Sequence, residues 1–337
     1  MILRCPLLAT IPTILLGCAA PQETPTMPNA SSQPATPPSD TKPEAFTISF
    51  RSQGGQSVGA TGLSTWESSF TASGPSGQAV VEVRRHFGDL QGQPIGRFSC
   101  VLPRATADAL LSAAKSIDFA SIPPSKDGGL ASNIISIEFD YQGAIKSRKF
   151  NGRDASNVVP FSRLLDAITD TMARVRETPE RTVLASVSAP AASGDSCKLT
   201  FKITNTGIKP VVVTNPQTLG VADPGRFAAV MISDVEHPAA GYSARGPIWE
   251  RLALEPAASG APARIKLGAG ESFECSSVEW KRPRKDKGYI AQAVFSDYQG
   301  APPDTDATKK PDADAYLIKG CAFSKVVEFI KVDEPKK

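Results

Sequence analysis

The strongest constraint on the fold is a two-residue alternation. From Ser196 to Thr204, Cys197, Leu199, Phe201 and Ile203 fall on one face and Lys198, Thr200, Lys202 and Thr204 on the other. That pattern marks a half-buried β-strand, whose apolar side needs a second layer to cover it. The same period recurs at Phe46, Ile48 and Phe50, and at Ile135, Ile137, Phe139 and Tyr141 before a Gln142-Gly143 turn into 145–150. Shorter strand-like runs lie at 63–70, 79–87 and 97–102, separated by Gly54-Gly55, Gly74-Pro75 and the 92–94 turn. Only two stretches switch to helical spacing: 103–117, with Ala107, Leu110, Leu111, Ala114 and Ile117 on one face, and 160–175, with Phe161, Leu164, Leu165, Ile168 and Met172. Strands, helix, strands, helix over 46–178 predict an α+β sandwich domain, an antiparallel sheet covered by two helices. Residues 179–194 carry Pro179, Pro190 and many small side chains and are expected to be a linker; 195–333 read as all strand, with further runs at 211–213, 227–232, 265–267, 272–280, 289–298 and 326–332.

The first 45 residues follow a different logic. One cation, Arg4, precedes an apolar stretch at 7–16, which at about ten residues is half the ~20 needed to span a bilayer and is the length of a signal-peptide core. It ends Leu15-Leu16-Gly17-Cys18. Branched residue, small residue, then cysteine resembles the lipobox of bacterial lipoproteins, in which the signal (here 1–17) is removed and the cysteine becomes an acylated N-terminus. The resemblance implies lipidation of Cys18, through a thiolate that accepts a diacylglycerol, and anchoring to a bilayer by acyl chains at about 0.8 kcal/mol per buried CH₂. Ala19 rather than Asp follows the cysteine, which in Gram-negative lipoproteins implies the outer membrane, facing the periplasm or the cell surface. Residues 18–45 then hold seven prolines among polar residues, with no aromatic or branched aliphatic side chain to seed a core. They are expected to be a disordered tether reaching on the order of 30–80 Å.

Over Leu184 to Val332, "FKITNTG" followed by "LGAGESF" resembles the B strand and the turn into the E strand of bacterial immunoglobulin-like modules. The resemblance implies an immunoglobulin-like β-sandwich over 195–333 and carries no activity with it. Apart from Cys5 and Cys18, four cysteines remain: Cys100, Cys197, Cys275 and Cys321. An exported compartment permits a disulfide, and on the immunoglobulin-like reading Cys275 and Cys321 start strands at the same end of the sandwich, which makes them the expected pair. The alternative is four buried thiols.

The remaining motifs argue for binding rather than chemistry. With 37 basic against 34 acidic residues the net charge is +3, so composition points to neither nucleic acid nor an acidic substrate. Lys281, Arg282, Arg284, Lys285 and Lys287 form the densest basic run, a candidate contact for anionic lipid headgroups or cell-wall polymer, against a simple solvated turn. Gly55-Gln56-Ser57-Val58-Gly59 matches the G-x-S-x-G elbow, but a helix should follow and a strand-like run does, so a glycine-rich turn is expected. Ser112 and Lys115 match S-x-x-K with no K-T-G anywhere. Two histidines, His86 and His237, no CxxC pair, and an acidic loop (Asp304, Asp306, Asp312, Asp314) that lacks EF-hand glycine and glutamate predict no metal site and no cofactor. The resulting expectation is a lipid-anchored envelope protein acting as a non-enzymatic binding or structural module for an envelope protein or polymer; the alternative is a hydrolase, or a hydrolase inhibitor, with its site in 46–178.

Overall fold

Eleven consecutive residues, Phe46–Gln56, form β1, and a computed structural model shows why the alternation there matters. The structure describes residues 44–56, 64–74, 77–85, 92–122, 134–151, 159–190, 195–223, 225–234, 249–285, 287–300 and 316–330. β1 pairs antiparallel with β2 (Ser64–Gly74) on one side and β5 (Ile134–Tyr141) on the other. β2 pairs with β3 (Gln78–Arg85), β3 with β4 (Ile95–Val101), and β5 with β6 (Ala144–Asn151), giving the order β4-β3-β2-β1-β5-β6. One row of this sheet reads Phe98, Val81, Phe70, Phe50, Ile137 across five strands, and every member is buried. This is the apolar face that the sequence alternation demanded, and both helices lie against it.

Helix α1 (Arg104–Lys115) buries Ala107, Leu110, Leu111 and Ala114. Helix α2 (Val159–Arg176) buries Phe161, Leu164, Ile168, Met172 and Val175, close to the stripe its spacing predicts. Phe161 meets Phe150 of β6 edge to face, centroids 4.6 Å apart, the arrangement that ring quadrupoles favour. Each such side chain contributes about 1.5–3 kcal/mol on leaving water, so the helices hold the sheet by one face only. Gln142 (φ 54°) and Gly143 (φ 83°) both lie in the left-handed region. That is the type I′ geometry which matches the twist of a two-residue hairpin, and Asp140 Oδ1 accepts from Gly143 N at 3.0 Å.

The segment after α2 departs from expectation. Residues 179–188, expected to be linker, form strand β7 (Pro179–Ser188), paired with β4 on one edge (Val183 opposite Ile95) and with β9 (Thr200–Asn205) on the other. The segment is instead core: Val183, Ala185 and Val187, at strand period, are buried on one face. The sheet therefore runs on from β4 through β7 and β9 to β14 (Ser272–Ser276). Against it packs a second layer, β12 (Glu250–Ala253), β11 (Arg226–Asp234) and β16 (Tyr289–Asp297), the last paired with both β17 (Gly320–Phe323) and β18 (Val327–Ile330). Phe201, Ile203, Val230 and Phe295 are fully buried in the core that results. Two small pairs complete the strands: β8 (Ser196–Cys197) with β15 (Trp280–Lys281), and β10 (Val211–Thr214) with β13 (Arg264–Leu267). The expected single strands at 196–204 and 272–280 are thus each broken in two. The described fold is a mostly antiparallel β-sandwich with two α-helices, all within the one unit Pro43–Lys337.

Where the two sequence halves meet, the backbones approach closely. β17 lies parallel to β3 at Cys321 and Arg85, and a Cβ on Gly320 (φ 139°) would stand 2.2 Å from the Arg84 carbonyl oxygen, so only glycine fits. Glu180 of β7 closes the same seam: its carboxylate accepts Ser99 Oγ (2.7 Å) and Lys209 Nζ (2.8 Å) and lies 3.1 Å from Arg97 Nε. Burial alone would push this carboxyl up. The bonds from Lys209 and Ser99 and the Arg97 charge outweigh it, so the group sits below the ordinary carboxylate range. Nearby, the fully buried Asn205 donates through Nδ2 to the carbonyls of Lys209 (3.0 Å), Leu267 (3.0 Å) and Gly268 (2.9 Å), and accepts Gly207 N through Oδ1 (2.9 Å).

Candidate binding surface

Strands that bury alternate residues under two helices must present the others on the opposite side. In the first sheet these are small hydroxyls and charges: Thr47, Ser49 and Arg51 on β1, Ser69, Thr71 and Ser73 on β2, Ser136 and Glu138 on β5, Ser147 and Lys149 on β6. The register aligns them in cross-strand rows. One runs Lys149, Ser136, Arg51, Ser69, Glu82, Arg97, and the next Ser147, Glu138, Ser49, Thr71, Val80, Ser99. On this face lies a shallow, open groove of about 560 Å³ whose floor includes Ser49, Arg51, Ser69, Thr71, Ser136 and Glu138.

A smaller hollow of about 160 Å³ adjoins it at Arg51 and Ser69. Here Glu67 Oε1 bridges two guanidinium groups, Arg51 at 2.8 Å and Arg84 at 3.4 Å. Tyr316 donates its hydroxyl to Glu82 at 2.5 Å. Burial, and then the bond to that carboxylate, push the phenol far above its ordinary range, so it remains a donor. Charges of both signs stand among the hydroxyls, most regularly along the row from Lys149 to Arg97. Such a floor offers donors and acceptors at strand spacing to an extended polar ligand.

The other expected positions divide. Leu15, Leu16, Gly17 and Cys18 lie outside the described residues, as do Ser57, His86, His237, Asp304, Asp306, Asp312 and Asp314. Ser112 and Lys115 are exposed on α1. The Lys115 ammonium is bonded to Glu44 and lies 4.0 Å from the Tyr141 ring centre. The Glu44 bond, then a bond with Tyr141, raises its pKa, the opposite of what a lysine base requires. Among the described residues no three His, Cys, Asp or Glu side chains converge to hold a metal ion.

The expected Cys275–Cys321 bridge is not formed; Cys100, Cys197, Cys275 and Cys321 are all free thiols. Cys275 stands opposite Phe201 in the β9–β14 pair and packs on the main core. Cys321 sits opposite Ser296 in the β16–β17 pair, in a separate cluster with Phe227, Met231 and Val294. The two strands belong to different layers. Burial, followed by the Glu255 charge, pushes the Cys275 thiol up to about 12.

The basic run is partly internal. Arg282 turns back to donate to the carbonyls of Arg284 (3.1 Å), Lys285 (2.5 Å) and Lys287 (2.8 Å), so it builds the loop instead of facing outward. Lys287 is buried 4.0 Å from Asp234, which removes it from any surface contact. Lys285 pairs with Asp195 at 2.8 Å. Lys281, Arg284 and Lys285 keep exposed side chains.

The groove is the feature that sequence reading missed. Its signal is present, since the residues between Phe46, Ile48 and Phe50 are Thr47 and Ser49, but nothing in one strand says that five others will align their hydroxyls beside it. Compared with models of known families and with curated sequences, the chain matches none.

Proposed function

We propose that the protein is a membrane-anchored envelope lipoprotein whose folded part is a non-enzymatic binding module, displayed on the tether of residues 18–45 and taking its ligand in the polar groove of the first sheet. The observation that carries this reading is the groove: a shallow face of aligned hydroxyls and paired charges opposite the one that two helices cover. The order Leu15-Leu16-Gly17-Cys18 supports the anchor and, with Ala19, the outer membrane. No described helix is long and apolar enough to cross a membrane, so attachment rests on acylated Cys18 in this reading. A finer division is part of the proposal. Residues 46–178 act as an α+β sandwich domain, and 195–333 as an immunoglobulin-like sandwich in which β9 and β14 take the places of strands B and E. Their antiparallel pairing, Phe201 opposite Cys275, supports it.

The test is mass spectrometry of the natively expressed protein, together with chemical crosslinking in intact cells. An acylated N-terminal Cys18 and a reproducible envelope partner, lost when Cys18→Ala releases the protein from the membrane, are the expected results. An unmodified cysteine would sink the anchor. A correctly lipidated protein that crosslinks to no envelope component would sink the binding module.

A further inference from the structure

One rim of the groove is a sheet edge. β6 runs eight residues and, among the described residues, pairs with no strand but β5. Because Gln142 and Gly143 form a type I′ turn, Tyr141 and Ala144 close the hairpin as a hydrogen-bonded pair. The bonding then alternates, so Ala144, Lys146, Arg148 and Phe150 bond to β5, while the backbone N–H and C=O groups of Ile145, Ser147 and Lys149 point away from the sheet. The side chains of all three are exposed. Such an edge is a template for one more strand.

Charge selects the occupant. β6 contains Lys146, Arg148 and Lys149 and no carboxylate. Arg148 is committed inward, donating through Nε (3.0 Å) and Nη2 (2.6 Å) to the Ile122 carbonyl. That leaves Lys146 and Lys149, three residues apart and therefore on opposite faces of the sheet. A second copy is a poor match, because antiparallel pairing of β6 with itself about Ser147, the register that sets the outward-bonding residues 145, 147 and 149 against one another, places Lys146 opposite Arg148 at both ends, and like charges across a pair are unfavourable. An incoming strand with carboxylates three positions apart answers both lysines at once.

We propose that the free edge of β6 binds an extended acidic polypeptide segment by strand addition, with carboxylates three residues apart set against Lys146 and Lys149. The added strand lengthens the floor of the groove by one row, beside Ser147 and Lys149. The inference rests on the binding-module reading and names its partner class.

The test uses the full-length chain in detergent micelles and a capped eight-residue peptide of alternating valine and threonine with glutamates at its third and sixth positions. That placement is symmetric, so either strand direction satisfies it. Fluorescence anisotropy reads binding, and hydrogen exchange followed by mass spectrometry reads protection of 144–151. The acidic peptide is expected to bind and to slow exchange there, while the same peptide with lysines in place of both glutamates binds about tenfold more weakly. The Lys146→Glu/Lys149→Glu protein should reverse that preference, and of the two alternate sets of peptide amides, N-methylation of the set that faces β6 should abolish binding while methylation of the other set leaves it. Equal binding of the acidic and basic peptides, binding without protection of β6, or binding of a soluble anionic glycan in place of the peptide would each overturn the inference. So would failure of the acidic peptide to bind, and in that case crosslinking to an envelope component would still leave the binding module standing.

Discussion

Asn205 offers a test of how the C-terminal half is held, and the magnitude follows from its surroundings. Its side-chain amide has two hydrogens that serve three carbonyls, so one is shared, and its oxygen accepts the Gly207 amide. Replacing it by alanine deletes about three hydrogen bonds' worth of interaction at ~1 kcal/mol each and strands carbonyls that water reaches poorly, for a loss of roughly 3–5 kcal/mol. At about 2 °C per kcal/mol for a unit of this size, the melting temperature should fall by some 6–10 °C. Asn205→Asp is the sharper probe, because at neutral pH it turns a donor into a carboxylate oxygen facing three carbonyls and should cost more than alanine. Urea unfolding followed by tryptophan fluorescence, with Trp280 buried in the core as reporter, measures both. Thr206→Ala, which removes one hydroxyl contact with Thr182 (2.8 Å), serves as control at about 1 kcal/mol. A loss below ~1 kcal/mol for Asn205→Ala, or an Asn205→Asp protein as stable as wild type, would refute the argument that this side chain closes the turns around it.

Three other expectations concern the seam and the thiols. Gly320→Ala drives a Cβ into the Arg84 carbonyl and forbids the native φ, so thermal unfolding should show a loss of at least roughly 1–3 kcal/mol, while Gly143→Ala, with open space around it, costs only the conformational strain at positive φ. Glu180 has a depressed folded pKa, so its contribution is present above the unfolded carboxylate value and is lost as pH falls through the folded one; Glu180→Gln should lower stability at pH 7 and flatten the acid limb of the stability curve, and an unchanged acid limb would contradict this. Alkylation of the denatured, unreduced protein should label Cys100, Cys197, Cys275 and Cys321 alike, whereas protection of Cys275 and Cys321 until reductant is added would establish the bridge; in the native protein at pH 8 the raised Cys275 thiol should react slowly.

Sequence periodicity located the elements whose one face is buried. β1, β5, β9 and both helices fall where their apolar spacing puts them, because a half-buried element writes its orientation into alternate residues. It fails at β7 and at the shortest strands. β7 carries the period-two set Val183, Ala185 and Val187, but Pro179 at its start, with Pro190 and the small residues just beyond it, resembles a linker. β12 and β17, four residues each, are too short to display a period. The groove and the seam are products of register: Arg51, Glu67 and Arg84 come from three strands, and Glu180 meets Ser99 and Lys209 across long stretches of chain. The disulfide expectation failed for the same reason, since the layer to which β14 and β17 belong depends on pairing that residue spacing leaves open.

The position of β1 has a mechanical consequence. Any load transmitted along residues 18–45 enters the fold at Phe46, the first residue of a central strand bonded along its full length to β2 and along eight residues to β5. Tension directed along that strand's axis would load the flanking bonds together in shear instead of unzipping them one at a time. Of the first sheet's strands, β1 is thus the one through which a pull on the N-terminal side of the chain first meets the fold, and it is held on both edges.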